Sequence, residues 1–189
     1  IFLTAVMFYT RIPCPKFEFK DEFLNDATKY FPLIGWIVGL AAVLTIYVTH
    51  FVLPLSVCVI LSFLATILLT GSFHEDGLAD VADGFGGGWN KMRILDIMKD
   101  SRVGAYGVVA LILTFGLKIT AIVELFTLDF YFGIKSILIA HVLSRLIAET
   151  MIFTHEYSRD DASSKVKPIA KKLTLSNLLI SVIITIPAF

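Results

Sequence analysis

Charged residues are scarce in this chain. Only 17% of its 189 residues are Asp, Glu, Lys or Arg, whereas soluble domains typically have about 25%. Hydrophobic residues make up 57%, and sixteen residues are phenylalanine. This composition excludes an intrinsically disordered chain and disfavours an ordinary soluble domain. It is typical of a helical protein that crosses a membrane several times.

The chain also lacks net charge and has little cysteine. Sixteen basic residues balance sixteen acidic ones, so there is no bulk attraction to nucleic acid. The spacing of the two cysteines, Cys14 and Cys58, matches neither a disulfide framework nor a cysteine metal site. The sequence therefore predicts two unpaired thiols and no nucleic-acid partner.

Four apolar stretches have the length of about 20 residues that a helix needs to cross a bilayer. A fifth begins near Leu175 and runs to the end of the chain. The sequence predicts an all-α, polytopic membrane bundle with at least five spans, formed by residues 1–189 as a single domain. We expect this fifth span to be truncated here and a C-terminal part of the protein to lie beyond this sequence. The four complete stretches are residues 31–48, 51–72, 103–126 and 130–153.

Basic residues predict how the bundle is oriented. Thirteen of the sixteen lie before the first stretch, between the second and third, or after the fourth. The two short reversals on the other side carry none. By the positive-inside rule, the three basic segments face the cytoplasm. This predicts an integral membrane protein, with the lipid bilayer as its surroundings. Residues 1–9 are too short to span and predict an interfacial or re-entrant helix.

Three carboxylates follow the second stretch directly. If a helix continues there, Asp76, Asp80 and Asp83 lie within about 60° of one face. Like charges on adjacent turns repel, so a bound cation would explain the stripe. Oxygen ligands suit Mg²⁺ or, as the alternative, Mn²⁺. His74 and Glu75 point off this face, and we expect neither to bind the metal.

A second acidic pair follows at i,i+4 spacing. This spacing places Asp96 and Asp100 on one helical face. The three glycines at 86–88 permit a reversal, which would bring five carboxylates together at the cytoplasmic mouth of the bundle. Such a site could hold two divalent ions about 4 Å apart around a reacting phosphate. The alternative is an ordinary solvated acidic face.

Basic residues near the second pair suit a phosphate. Arg102 can bind a phosphate bidentately, Lys99 can neutralise its charge, and Ser101 lies between them. Inside the fourth stretch, a charge at bilayer depth indicates function, and we predict that Arg145 reaches the same phosphates. Pairing of Arg145 with Glu149 is the alternative. For Lys118, in the third stretch, we expect snorkelling or a structural pair.

Two motifs carry a resemblance to a known family. Phe73-His-Glu-Asp-Gly-Leu-Ala-Asp-Val-Ala-Asp-Gly84 and Ile97-Met-Lys-Asp-Ser-Arg-Val-Gly104 resemble the cobalamin synthases, or adenosylcobinamide-GDP ribazoletransferases. Residues 10–15, 31–35 and 144–145 fit the same pattern, so the resemblance covers essentially the whole chain. Glu75 departs from the apolar residue expected there. The family's C-terminal Gly-rich acidic motif is absent from this sequence.

The resemblance implies a Mg²⁺-dependent enzyme of late cobalamin (vitamin B12) biosynthesis. It would lie in the cytoplasmic (inner) membrane of a bacterium or archaeon. Such an enzyme joins α-ribazole, or its 5′-phosphate, to the phosphate of adenosylcobinamide-GDP and releases GMP. Asp100 is then the candidate base for the ribazole 3′-hydroxyl, with Asp96 as the other candidate, and Arg102 assists at the phosphate. A homo-oligomer, or a complex with other late corrinoid-pathway enzymes, is left open.

Other functions compete with this interpretation. CDP-alcohol phosphatidyltransferases and membrane prenyltransferases also use acidic helices, and both would act on a lipid diphosphate. The sequence lacks the Ala-Arg expected after the glycine in the first family and the Asn-Asp signature of the second. A divalent-cation transporter would need acidic residues at mid-membrane. Here they lie beyond the inner end of the second stretch, which favours an enzyme.

Overall fold

The computed structural model describes residues 1–17, 20, 23–156 and 173–189. Within these ranges the chain forms nine α-helices, two short 3₁₀ helices and no β-strand, which confirms the predicted all-α fold. The α-helices are α1 (Phe2–Tyr9), α2 (Phe23–Ala27), α3 (Phe31–Thr49), α4 (Leu55–Thr70), α5 (Phe73–Gly87), α6 (Lys91–Ile97), α7 (Ala105–Leu128), α8 (Phe130–Thr154) and α9 (Leu175–Thr185).

Three helical stretches of the described chain are long and apolar enough to cross a bilayer. They are Phe23–Thr49, which ends with α3, and helices α7 and α8. Helices α4 and α5 form a fourth span if this bent pair is counted as one. The predicted reversals are confirmed, because α4 begins at Leu55 after α3 ends, and Asp129 alone separates α7 from α8. The chain is therefore an integral membrane protein, and α9 begins at Leu175 as predicted.

Helix α7 has an apolar surface that faces outward. Its side chains Ile112, Leu113 and Leu117 are 65%, 60% and 72% exposed. The most apolar window of this helix has 0% of its residues buried inside the protein. Contiguous apolar exposure of this kind marks a membrane or protein contact rather than a water-facing surface. In a chain of this composition, the exposed face of α7 indicates contact with lipid tails.

A sharp bend separates α4 from α5. Gly71 (φ 70°) and Ser72 (φ 61°) both have left-handed backbone conformations. Their N–H groups donate to the carbonyl oxygen of Ile67 at 2.8 and 3.1 Å, which caps the end of α4. Helix α5 then leaves at 92° to α4. The acidic segment is therefore helical but does not continue α4 in a straight line, because this left-handed cap redirects the chain.

Helices α3 and α8 pack closely at two glycines. A Cβ atom at Gly35 would lie 2.6 Å from the carbonyl oxygen of His141, and one at Gly39 would lie 3.2 Å from the His141 Cβ. Small residues let two helix backbones approach each other in this way. The contact places the part of α8 that carries His141 and Arg145 directly beside α3.

The N-terminal helix packs against the bundle through aromatic rings. Tyr9 stacks on Phe31 with ring centres 4.3 Å apart, and the helix ends at Thr10. The backbone N–H of Arg11 then donates to the carbonyl oxygen of Leu69, near the end of α4, at 2.7 Å. The predicted helix at residues 1–9 is confirmed, and its interfacial or re-entrant position stays a prediction.

The cytoplasmic orientation also stays a prediction. Five of the thirteen basic residues that support it fall between 157 and 172, outside the described residues. The other two basic segments lie at one end of the bundle, since Arg11 contacts the end of α4 and α5–α6 follow that end directly. Their shared position supports a single side of the membrane for both.

Candidate functional site

Helix α5 carries the three predicted metal ligands of the first acidic motif. It runs unbroken from Phe73 to Gly87, so Asp76, Asp80 and Asp83 share one helical face, as predicted. Their environments differ, because Asp76 is exposed, Asp80 is half-buried and Asp83 is buried. The face therefore runs from solvent at its N-terminal end into the protein at its C-terminal end.

Asp83 binds the N-terminus of α7. Its Oδ2 accepts a hydrogen bond from the N–H of Gly104 at 2.7 Å, and its Oδ1 accepts one from Gly107 at 2.9 Å. These N–H groups belong to the first turn of α7, where no partner exists within the helix and negative charge is favourable. A Cβ atom at either glycine would lie 2.5 Å from an Asp83 oxygen. Asp83 therefore holds α5 against α7, and its metal-binding role stays a prediction.

The glycine run at 86–88 allows the predicted reversal between α5 and α6. A Cβ atom at Gly84 would lie 2.8 Å from the Met98 side chain, and one at Gly88 would lie 2.5 Å from the side chain of Ile94. The two segments could not pack this closely with larger residues at these positions. The predicted return of the chain beside α5 is confirmed.

The second acidic pair does not share a helical face. Helix α6 includes Asp96 but ends at Ile97, so Asp100 lies three residues beyond it. The N–H groups of Lys99 and Asp100 bond to carbonyls three residues back, which forms tighter turns than an α-helix. The prediction of one helical face for both carboxylates is wrong, because the helix stops too early.

Asp100 and Arg102 form an exposed ion pair. The Arg102 Nη2 lies 2.6 Å from Asp100 Oδ2, and its Nε lies 3.0 Å from Oδ1. The side-chain and backbone hydrogen bonds from Arg102 lower the pKa of Asp100 to about 2. The Arg102 side chain is still 87% exposed, and Lys99 and Ser101 beside it are exposed too. The predicted base and the predicted phosphate ligand thus contact each other in a turn that is open to solvent.

The five predicted carboxylates do not form one metal site among the described residues. No three His, Cys, Asp or Glu side chains in that part of the chain lie close enough together to hold a metal ion. Mg²⁺ at phosphate-binding sites commonly takes only one or two carboxylates, with water and phosphate oxygens as its other ligands. Asp76 and Asp80, on adjacent turns of α5, fit an ion that binds together with a phosphate substrate. The two-ion site stays a prediction.

A cavity of about 640 Å³ lies among α1, α3, α4, α5, α7 and α8. Most of its walls are aromatic or aliphatic side chains. Its charged groups come from three different helices: Glu75 of α5, Lys118 of α7 and Arg145 of α8. His74 and His141 also line it. The cavity therefore combines an apolar wall with a small set of charged groups, which is typical of ligand sites.

Arg145 is positioned by its own helix. The side chain is only 7% exposed, and its Nη1 donates to the carbonyl oxygen of His141 at 3.0 Å. The same nitrogen lies 3.1 Å from the Ser144 Oγ and from the His141 Nδ1. The Nε has no hydrogen-bond partner among the described residues, and neither carboxylate oxygen of Glu149 accepts a bond from Arg145. The alternative of an Arg145–Glu149 pair is therefore wrong.

Sequence reasoning assigned no binding role to Glu75, Lys118 or His141. Glu75 faces away from the acidic stripe, as expected, but the bend before α5 places it on the cavity. Lys118 lies 5.0 Å from the ring centre of Phe63 and lines the same cavity. For Lys118, the available signal was its charge inside an apolar stretch, which indicates function by default.

Comparison with known proteins agrees with the two motifs. The cobalamin-5-phosphate synthase family matches residues 1–189, the whole chain. The adenosylcobinamide-GDP ribazoletransferase of Shewanella amazonensis is 48% identical over 184 residues, which are 97% of this chain and 71% of the relative. Proteins of the same name from Shewanella sp. strain ANA-3 and Shewanella oneidensis are 47% identical over 181 residues, or 95% of this chain and 69% of each relative. No solved structure matches the chain significantly. The chain therefore belongs to the cobalamin-5-phosphate synthase family.

Proposed function

We propose that the protein is an adenosylcobinamide-GDP ribazoletransferase of cobalamin biosynthesis. It joins α-ribazole, or its 5′-phosphate, to the phosphate of adenosylcobinamide-GDP and releases GMP. The observation that carries this proposal is the family match over residues 1–189, with relatives of that name at 48% and 47% identity. The two motifs also meet in space, because Asp83 of the first accepts hydrogen bonds at the N-terminus of α7, directly after the second.

The proposed reaction exchanges one phosphorus–oxygen bond for another. The ribazole 3′-oxygen forms a bond to the phosphorus that carries cobinamide. The bond from that phosphorus to the bridging oxygen of the diphosphate breaks, and GMP leaves with the electron pair. The proton of the 3′-hydroxyl passes to a carboxylate. We assign this role to Asp100, with Asp96 as the alternative.

The ion pair between Asp100 and Arg102 suggests how the base becomes active. While Arg102 is bound, the pKa of Asp100 is about 2, which makes the carboxylate a weak base. A diphosphate offers Arg102 a more highly charged, bidentate partner. When Arg102 turns to the substrate, the pKa of Asp100 rises toward its usual value of 3.8. Binding of the diphosphate would thus strengthen the base that the reaction needs.

A magnesium ion is a further part of the proposal, with Mn²⁺ as the alternative. Asp76 and Asp80 would hold it together with phosphate oxygens of the substrate. When bound, the ion would neutralise charge on the diphosphate and on the departing GMP. Arg102 and Lys99 supply positive charge from the other motif, beside the same end of α7.

We also infer that the protein lies in the cytoplasmic membrane with this site facing the cytoplasm. The sequence supports this through the distribution of Lys and Arg. A further support is that α5, α6 and the Asp100–Arg102 turn follow one another along the chain after the end of α4. A water-soluble phosphate compound would reach this end without crossing the bilayer.

The test is turnover by the purified protein in lipid nanodiscs. We expect GMP release in equal amount to the corrinoid product when adenosylcobinamide-GDP and α-ribazole 5′-phosphate are supplied with Mg²⁺. Asp100→Asn keeps the size of the side chain but removes its proton acceptance, so turnover should fall by roughly 10²–10⁴. Turnover with CDP-diacylglycerol or a prenyl diphosphate, and none with the corrinoid, would overturn the proposal.

A further inference from the structure

The cavity between α5 and the bundle has aromatic rings along its wall and two cations that lie against those rings. Phe31, Phe63, Phe73 and Phe115 contribute aromatic rings from four different helices. Lys118 lies 5.0 Å from the Phe63 ring centre and 6.0 Å from that of Phe115. Aromatic side chains of this kind provide flat surfaces for a planar ring.

Arg145, one of the two cations, has unused hydrogen-bonding capacity. Arg145 is 7% exposed, and its Nε has no hydrogen-bond partner among the described residues. A buried donor without a partner carries a substantial desolvation cost, which a bound anion would remove. Arg145 and Lys118 also line an adjoining cavity of about 330 Å³, so they lie at the junction of the two. Against these two cations, the described lining of the larger cavity contributes one carboxylate, that of Glu75.

The size and lining of the cavity indicate which of the two proposed substrates it binds. A volume of about 640 Å³ lies within the range of small-molecule sites, and a corrinoid that carries GDP is far larger than such a ligand. Most of the lining side chains are apolar, so a ring with few hydrogen-bonding groups loses the least when it leaves water for this cavity. The dimethylbenzimidazole base of ribazole has a single free ring nitrogen and two methyl groups. It is therefore the base that suits an aromatic, mostly apolar cavity.

We propose that this cavity binds the acceptor nucleotide, with its benzimidazole ring against the aromatic wall and its 5′-phosphate against Arg145 and Lys118. This inference rests on the proposed function. It assigns Arg145 to the acceptor, whereas the sequence predicted that it reaches the diphosphate. His141 and Ser144 are positioning residues, because they orient the Arg145 guanidinium through its Nη1.

The experiment measures binding by equilibrium dialysis, with the full chain in nanodiscs of phosphatidylcholine. The probes are α-ribazole 5′-phosphate, α-ribazole and GDP. Arg145→Met and Lys118→Met should each weaken binding of the phosphate form by about 10–100-fold, the usual effect of removing a charge-assisted bond. Binding of α-ribazole should change less than about threefold. The matched control is Lys135→Met, on an exposed side chain of α8 that does not line the cavity.

A second pair of variants tests the aromatic wall. Phe115→Leu should weaken the binding of α-ribazole and of its 5′-phosphate by similar factors. The substitution removes a ring contact and leaves the two cations in place. Phe85→Leu is the control, since Phe85 is 69% exposed and does not line the cavity. Arg145→Lys keeps the charge and should recover part of the phosphate binding, which separates a binding effect from a folding effect.

Several outcomes would overturn the inference. One is loss of GDP binding in Arg145→Met while α-ribazole 5′-phosphate binds normally, which would assign the cavity to the diphosphate substrate. Another is displacement of the nucleotide by phosphatidylglycerol in the nanodisc, which would indicate an anionic lipid site. Equal weakening of both ribazole forms by Lys118→Met would also contradict it. If the wild type releases GMP while these variants bind normally, only this inference fails. If the wild type shows no turnover, the proposed function fails.

Discussion

The carboxylate of Asp83 lies 2.7 Å from the backbone nitrogen of Gly104, twenty-one residues further along the chain. A second bond, to the N–H of Gly107, uses the other carboxylate oxygen. The acidic motif and the start of α7 are therefore connected through main-chain groups. A residue whose spacing predicted a metal ligand has a structural function in the described fold, whether or not it also binds an ion.

Asp83→Asn should destabilise the protein. Asparagine has one acceptor oxygen in place of two, so one N–H of the first turn of α7 loses its partner. The expected loss is about 1–3 kcal/mol of unfolding free energy, seen as a lower melting temperature in detergent with EDTA present. Asp76→Asn, on an exposed residue of the same helix, is the control and should melt like the wild type. Equal stability of Asp83→Asn in EDTA would show that the two bonds to α7 contribute little.

Asp80→Ala should change the dependence of turnover on Mg²⁺. If Asp80 and Asp76 hold the ion with the substrate, loss of either should raise the half-maximal Mg²⁺ concentration by about tenfold or more. Titration of GMP release with magnesium chloride measures this. Glu124→Ala provides the control, because Glu124 is exposed near the far end of α7. An unchanged Mg²⁺ midpoint in Asp80→Ala would rule out its role as a ligand.

The spans could be predicted because bilayer thickness fixes the length of an apolar helix. Pro54 and Asp129 lie at the two predicted reversals, and each is the N-cap of the helix that follows. Pro54 precedes α4. The Asp129 side chain accepts a hydrogen bond from the Phe132 N–H of α8 at 2.7 Å. Such signals are local, so the sequence shows them directly. The common face of Asp76 and Asp80 was predictable for the same reason, since it depends only on helical periodicity.

The bend and the cavity could not be predicted, because both depend on contacts between distant segments. Periodicity showed that Glu75 points away from the acidic stripe, but it could not show what lies opposite. The left-handed conformation of Ser72 is uncommon for a residue with a side chain, and no spacing rule signals it. The early end of α6 at Ile97 likewise escaped a prediction based on the spacing of two carboxylates.

The orientation of the bundle can be tested with single cysteines in a variant that lacks Cys14 and Cys58. Val52 and Trp89 are 80% and 96% exposed and lie in segments at opposite ends of α4. A membrane-impermeant maleimide should label Val52→Cys in intact cells and should label Trp89→Cys only after permeabilisation. The opposite pattern would place the acidic site outside the cytoplasm and would contradict the positive-inside argument.

The pairing of Asp100 with Arg102 predicts an unusually unreactive carboxyl group. Carbodiimides activate the protonated acid, and with a pKa of about 2 only about one Asp100 in a thousand is protonated at pH 5. Arg102→Met removes the hydrogen bonds that lower this pKa, so the pKa should rise toward 3.8 and the protonated fraction should increase. Amidation of Asp100 at pH 5, followed by mass spectrometry of its peptide, should become about 10–100 times faster.

Arg93→Met is the matched control for that measurement, because Arg93 is an exposed cation of α6 whose removal leaves the Arg102 hydrogen bonds in place. Its amidation rate should equal that of the wild type. A bound diphosphate should have the same effect on the wild type as Arg102→Met, since the substrate is proposed to draw Arg102 away from Asp100. If GDP leaves the amidation rate of Asp100 unchanged while Arg102→Met increases it, the ion pair exists but the substrate does not open it. The base would then be Asp96, the other candidate, which lies within α6 one turn before Asp100.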